Sequence, residues 1–111
     1  MPHCILEISE SISEKIDCQA ILEDLHSVLA ASGEFSEDAI KVRRYVSDLS
    51  LVGGIEKESV HVTLKLLSGR DITTKQQLSE SLFNTVSSWL EGDDVVLTVD
   101  ILDMDKDVYR K

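Results

Sequence analysis

The sequence has little proline, cysteine and positive charge, and each scarcity excludes a class of protein. Its one proline is Pro2, and its two cysteines, Cys4 and Cys18, lack zinc or redox spacing and are too few for a disulfide scaffold. No apolar run approaches the roughly 18 residues that a membrane helix needs. The N-terminus also lacks the basic and apolar segments of a secretory signal. The sequence therefore predicts a cytoplasmic protein with reduced thiols and no membrane partner.

Basic residues are outnumbered by acidic ones, 11 to 21, and the formal net charge is -10. Nucleic acids and anionic membrane surfaces are bound through a basic footprint, so this balance argues against both as partners. A chain of 111 residues with 42% hydrophobic content is typical of one globular domain. We expect that domain to span residues 1–111, with halves at about 2–47 and 58–102 and a short acidic C-terminal tail.

Apolar periodicity divides the chain into two strand–helix–strand halves. The predicted elements, in order, are a strand at 3–9, a helix at 18–31, strands at 40–46 and 60–66, a helix that begins near Thr73 or Thr74, and a strand at 95–101. Asp17 is predicted to cap the first helix, and Gln76 or Gln77 to complete a capping box in the second. The buried stripe of the second helix is predicted to include Phe83 and Trp89.

This order of elements predicts an α+β fold, with tandem βαβ units and both helices packed on one face of a four-stranded mixed sheet. A ferredoxin-like domain has the same linear order, and periodicity does not separate the two. The opposite face of the sheet is too apolar for bare solvent, so we predict that a subunit interface covers it. That face carries Ile5, Tyr45, Val96 and Leu102 among His3, Glu7, Arg43 and Lys65.

Pro2 is the first candidate catalytic residue. Initiator methionine is normally trimmed before proline, which would leave Pro2 as an N-terminal secondary amine. An α-amino group titrates near pH ~8, and burial or nearby cations would lower its pKa further. Such an amine is suited to abstract a proton next to a carbonyl group. The plain alternative is that Pro2 only begins an edge strand, and with Met1 retained its nitrogen is an amide and no base.

The few cations of this acidic chain are candidate anion ligands. Arg43 shares a strand face with Lys41, and Arg70 follows Gly69 just before the second helix, whose N-terminus itself favours anions. The alternative is that they are solvated surface charges. The three histidines have no metal-ligand spacing, so we expect hydrogen-bonded structural histidines and no metal: His3, His26 and His61.

Taken together, these residues resemble the 5-carboxymethyl-2-hydroxymuconate isomerases of the tautomerase superfamily. The resemblance extends to about residue 102, and the long strand that ends in Gly69-Arg70 together with Pro2 is its most specific part. It rests on Met1-Pro2-His3 with Glu7, on the stretches 40–43, 51–53 and 60–70, and on Gln77, Leu78, Leu82 and Phe83.

The resemblance implies two stacked βαβ units in each subunit of a homotrimer. It also implies tautomerisation of a small-molecule carboxylate without metal or cofactor, as a step in the catabolism of homoprotocatechuate-type aromatic acids. Pro2 then matches the catalytic base, Arg43 and Arg70 match positions that bind substrate carboxylates, and Lys41 matches a nearby basic position.

Three other functions remain open on the sequence alone. One is a sibling tautomerase activity, such as a decarboxylase or a phenylpyruvate-type tautomerase, that uses Pro2 on a different enol acid. Another is a non-catalytic relative that retains Met1 and keeps the fold for binding. The third is a ferredoxin-like binding or regulatory module, which would have a different strand order and no pocket at Pro2.

Overall fold

A four-stranded mixed sheet forms the centre of the protein, in a computed structural model that describes residues 1–111. The elements in chain order are β1 (His3–Ser9), α1 (Glu10–Lys15), α2 (Cys18–Ala31), a 3₁₀ turn (Glu37–Ala39), β2 (Lys41–Ser47), β3 (Leu51–Val52), β4 (Ile55–Glu56), β5 (Ser59–Leu67), α3 (Ile72–Trp89) and β6 (Val96–Met104).

The strand order of the sheet is β2-β1-β5-β6, with β1 parallel to β2, β5 parallel to β6, and β1 antiparallel to β5. The two strands of each half are therefore neighbours, whereas a ferredoxin-like sheet splits each βαβ unit. The predicted tandem βαβ fold is confirmed. Because β1 and β5 run in opposite directions, the N-terminal ends of β1 and β2 lie at the same end of the sheet as the C-terminal ends of β5 and β6. We call this the Pro2 end.

Alternate residues of the two central strands build the core. Leu6 of β1 and Leu64 of β5 are fully buried beneath the helices, with every second residue of each strand beside them. Burying a side chain of this size contributes about 1.5–3 kcal/mol. The helices supply the other half of the core through residues spaced four apart, namely Ile21, Leu25 and Leu29 of α2 and Leu78, Leu82 and Val86 of α3.

The helix caps confirm one prediction and correct another. The Asp17 side chain accepts a hydrogen bond from the Ala20 backbone N–H at 3.1 Å, as the sequence predicts. The second helix begins earlier than expected, and its cap is the Asp71 side chain, which accepts from the Thr74 N–H at 2.9 Å. Asp is as good an N-cap as Thr, and Asp71 follows directly on the turn at Gly69 and Arg70. Hydrogen bonds from Thr74, first from its backbone N–H and then from its side chain, hold the pKa of Asp71 below its ordinary value.

Phe83 was expected in the core, and that prediction is wrong. Its side chain is 43% exposed, because it is turned about 100° around α3 from the buried Leu82. Trp89 lies partly buried against the core, and its indole N–H donates to the Asp24 carboxylate at 3.0 Å. None of the helices has the length and apolarity to span a membrane.

The C-terminal tail folds back onto its own chain. Strand β6 runs on to Met104, beyond the predicted end at residue 101, and a turn follows it. In that turn the Tyr109 N–H donates to the Asp105 carbonyl at 3.0 Å. The reversal carries Tyr109 from the end of β6 back to His3 at the start of β1.

The face of the sheet away from the helices has the composition that the sequence predicts. Register places Ile5 beside Arg43 and Glu7 beside Tyr45, on the side opposite the buried core residues. Tyr45 is 57% exposed on this face and Leu102 is 42% exposed. Further apolar side chains are exposed on the hairpin β3–β4, namely Leu51 and Ile55.

Candidate active site

Three of the four sequence-predicted site residues lie at or next to the ends of strands at the Pro2 end of the sheet. Pro2 immediately precedes β1, Lys41 begins β2, and Arg70 lies three residues beyond the last residue of β5. Arg43 is two residues into β2, on the uncovered face of the sheet. Residues distant in sequence are thus brought to one end by the parallel pairing of β1 with β2 and the antiparallel pairing of β1 with β5.

Pro2 is buried and held by the sheet. Its carbonyl accepts a hydrogen bond from the Lys41 backbone N–H at 3.1 Å, which continues the parallel pairing of β1 with β2 by one residue. The missing N–H of proline leaves no ladder bond unmade at the first position of a strand. With Met1 in place the Pro2 nitrogen is a tertiary amide, which cannot take up a proton at neutral pH.

The electrostatic setting of the chain start is cationic despite the acidic composition. Burial is the main factor that lowers the pKa of the Met1 α-amino group, and the positive charges of Arg70, Lys41 and Lys111 lower it further. Desolvation and like charges both penalise the ammonium form. The Cα atoms of consecutive residues are about 3.8 Å apart, so an amine one residue further along the chain would lie close to the same cations.

Arg43 is half-buried, and no carboxylate neutralises it. The one hydrogen bond of its side chain runs from Nη1 to Nδ1 of His3, at 3.1 Å. Lys41 and Lys65 flank His3 in the register of the neighbouring strands, and neither forms an ion pair. An unpaired guanidinium among unpaired ammonium groups, in a chain of net charge -10, is an arrangement that favours an anionic ligand.

Arg70 differs from Arg43, because its guanidinium already has partners. Nε donates to Oε1 of Glu34 at 3.1 Å, and Nη2 donates to the Glu34 carbonyl at 2.7 Å. The guanidinium also lies over the ring of Phe35, with Cζ 4.7 Å from the centroid. Nη1 also donates to the Leu67 carbonyl at 3.4 Å. These contacts fix the orientation of the group near the chain start and leave part of its N–H fork without a partner in the chain.

Cys4 and His3 follow Pro2 with different surroundings. Burial raises the pKa of the Cys4 thiol to about 12, so it is a core residue and not a nucleophile. Desolvation, and then the charges of Arg43, Lys41 and Lys65, lower the pKa of His3. All three histidines are hydrogen-bonded, as the sequence predicts: His3 to Tyr109 and Arg43, His26 to the Glu37 carbonyl, and His61 to Thr98.

Known proteins share the sequence pattern and the fold of this chain. A family model described as 5-carboxymethyl-2-hydroxymuconate isomerase matches residues 2–111. The chain belongs to this family. It is 34% identical over 90 residues to the 5-carboxymethyl-2-hydroxymuconate Delta-isomerase of Escherichia coli, an alignment that covers 79% of this chain and 71% of the relative. The chain is therefore an isomerase of the 5-carboxymethyl-2-hydroxymuconate isomerase family.

Several solved structures have the same fold as this chain. A 5-carboxymethyl-2-hydroxymuconate isomerase from Deinococcus radiodurans R1 is similar with a TM-score of 0.87 and 24% identity, covering 99% of this chain and 87% of the other. A second structure, described as a 5-carboxymethyl-2-hydroxymuconate delta-isomerase, has a TM-score of 0.83 and 17% identity, covering 100% and 87%. A fused 4-OT symmetric trimer has a TM-score of 0.78 and 18% identity, covering 93% and 87%.

Sequence reasoning on this family member missed the groups that surround the predicted site. Glu34 and Phe35 hold Arg70, and Tyr109 reaches His3 from a stretch of sequence that reads as an acidic tail. One signal was present, since Tyr109 is an isolated aromatic residue among charged ones. By contrast, only the antiparallel register of β1 and β5 shows that Lys65 lies beside His3.

Proposed function

We propose that this isomerase moves a proton on an unsaturated 2-hydroxy di- or tricarboxylate of the 5-carboxymethyl-2-hydroxymuconate type and gives the 2-oxo isomer. Removal of Met1 exposes Pro2 as a secondary amine, which is the general base. The observation that carries the proposal is the setting of the chain start, where burial and then the charges of Arg70, Lys41 and Lys111 lower the pKa of the Met1 α-amino group, next to Pro2 in the chain. Family membership supports the same reaction class.

The proton balance of the reaction needs only one base. The neutral Pro2 nitrogen takes the proton of the 2-hydroxy group, and the oxygen lone pair forms the C=O bond as the enol double bond shifts along the conjugated chain. The protonated Pro2 then returns the same proton to a carbon further along that chain. A base whose pKa lies near the working pH serves both steps, because it is free before the first step and acidic enough in the second.

The carboxylates of the substrate are the proposed ligands of the cationic residues. Arg43 and Lys41 have no carboxylate partner within the chain, so their charges are available without breaking an ion pair. Arg70 binds through the N–H groups of its fork that Glu34 and the Leu67 carbonyl leave free. Cations fixed around a carboxylated dienolate also stabilise the negative charge that develops during proton transfer.

We further propose a homotrimer in which a neighbouring subunit covers the uncovered sheet face. Ile5, Tyr45 and Leu102 on that face favour burial against another protein surface. A fused 4-OT protein of similar fold is described as a symmetric trimer. Sedimentation equilibrium at micromolar concentration is expected to give three times the mass of the chain, and a monomer at that concentration would contradict the proposal.

Turnover of a panel of enol acids tests the activity. The purified protein is mixed with a 2-hydroxymuconate that bears a carboxymethyl group, with unsubstituted 2-hydroxymuconate and with the enol of an aryl pyruvate, and loss of enol absorbance is followed. Preference for the tricarboxylate supports the proposed step in catabolism of homoprotocatechuate-type aromatic acids. Preference for the aryl enol would assign a sibling tautomerase activity, and no turnover of any of them would contradict catalysis.

A further inference from the structure

A chain of hydrogen bonds connects the C-terminal tail to Arg43. The Arg43 Nη1 lies 3.1 Å from Nδ1 of His3, and the His3 Nε2 lies 2.8 Å from the phenol oxygen of Tyr109. The His3 and Tyr109 rings meet edge to face, with centroids 6.0 Å apart and planes at 73°. The three side chains come from the tail and from β1 and β2, so the chain of bonds exists only in the folded protein.

The positions of the protons in this series of hydrogen bonds follow from which groups can donate. A guanidinium can only donate, so Nδ1 of His3 must be the acceptor and carries no proton. The neutral ring then has its proton on Nε2, and it donates that proton to the Tyr109 oxygen. An imidazolium would have N–H groups on both nitrogens and could not accept from Arg43. His3 must therefore be neutral for the contact to exist.

The surroundings keep His3 neutral. The charged groups that act on it are all cations: Arg43 and Lys41 from β2, Lys65 from β5, and the chain start. Together with burial, these charges hold the pKa of His3 below its ordinary value. At neutral pH the ring is thus an acceptor for Arg43, and it contributes no positive charge of its own to this group of cations.

Hydrogen bonds within the C-terminal tail hold the Tyr109 side chain next to His3. The Asp105 side chain accepts from the Asp107 N–H at 2.9 Å, and its carbonyl accepts from the N–H groups of Val108 and Tyr109. Lys106 N–H reaches the Ser68 hydroxyl at 3.4 Å, which attaches the same turn to the end of β5. Tyr109 is half-buried as a result, whereas its neighbour Val108 is 68% exposed.

We propose that Tyr109, acting through His3, positions the Arg43 guanidinium for the substrate carboxylate, which makes the C-terminal tail part of the substrate-binding apparatus. The inference rests on the proposed function, in which Arg43 binds substrate. Tyr109 and His3 are positioning residues, because they act on the substrate only through Arg43. Without the phenol, the His3 ring loses the acceptor that fixes its orientation and Arg43 loses a fixed partner.

Kinetics of Tyr109→Phe test the proposal with the preferred enol acid. We expect KM to rise about 3- to 10-fold, the effect of one lost hydrogen bond, with kcat within about twofold of the original. In an Arg43→Ala background the same substitution is expected to change KM no further, because a residue that acts through Arg43 has nothing left to position. Val108→Ala, on the exposed side of the same turn, is the matched control and is expected to leave KM unchanged.

A second readout does not depend on turnover. Nitrogen-15 spectra of the His3 ring in the full chain at neutral pH are expected to show a bare Nδ1 and a protonated Nε2. Protonation at Nδ1, or an unchanged KM in Tyr109→Phe, would overturn the inference while leaving the proposed function standing. If the original protein turns over none of the enol acids, the proposed function fails. The role of Tyr109 in substrate binding fails with it, because that role requires Arg43 to bind substrate, and the His3 spectrum of Tyr109→Phe then reports only on the hydrogen bond between His3 and Tyr109.

Discussion

Protein that keeps a residue in front of Pro2 is expected to lose about 10²- to 10⁴-fold in kcat/KM, the contribution of a general base. The reason is chemical, since the nitrogen of an internal proline is an amide and has no lone pair available for a proton. Inserting a leucine between Met1 and Pro2 prevents trimming of Met1, because the processing step requires a small second residue or proline. Initial rates with the preferred enol acid give the ratio.

Pro2→Ala is the matched control for that loss. Trimming of Met1 then leaves a primary amine at the same place, so partial activity is expected where the blocked form has almost none. Circular dichroism and sedimentation of both variants show whether the fold and the assembly are kept. Full activity of the blocked form would remove Pro2 from the mechanism.

Arg43→Ala is expected to lower kcat/KM about 10- to 150-fold, which corresponds to a charge-assisted hydrogen bond of about 1.5–3 kcal/mol. The loss is large because Arg43 has no carboxylate partner in the chain, so its charge is free to act on the substrate alone. Arg43→Lys keeps the charge but loses the planar fork, and we expect an intermediate value. Steady-state kinetics on the preferred enol acid measure all three proteins.

Arg44→Ala is the control that the fold offers for this prediction. Arg44 is next in sequence and is also an arginine of β2, but register places it beside Leu6 and therefore on the opposite face of the sheet. It is exposed, and its substitution is expected to leave kcat/KM unchanged. Equal losses in Arg43→Ala and Arg44→Ala would mean that net positive charge, and not a fixed ligand, is what the reaction requires.

The sequence was informative about the fold because its strands and helices have clean periodicity. Alternation from Val60 to Leu66 and the apolar spacing from Ile21 to Leu29 fix which side of each element is buried. The same pattern does not predict the order of the strands, because it shows which face of a strand is buried and not which strands lie beside it. Phe83 shows a second limit, because one step around a helix separates a buried residue from an exposed one.

The candidate site could be predicted only where a residue type was itself unusual. Pro2 is the single proline and arginine is scarce, so these residues stand out in the composition of the chain. Tyr109 and Glu34 could not be found in this way, because their role depends on a chain reversal and on a loop that approaches the end of β5. Such contacts depend on tertiary structure, and local sequence carries little information about them.

The central claim is that an uncharged secondary amine at the chain start carries the proton. Intact mass, combined with labelling of the N-terminus by an amine-directed reagent across a range of pH, tests it most directly. We predict a mass short by one methionine and an apparent pKa below that of an ordinary α-amino group, which is about 8. A mass that includes Met1 in fully active protein, or an amine that titrates at or above the ordinary value, would contradict the account.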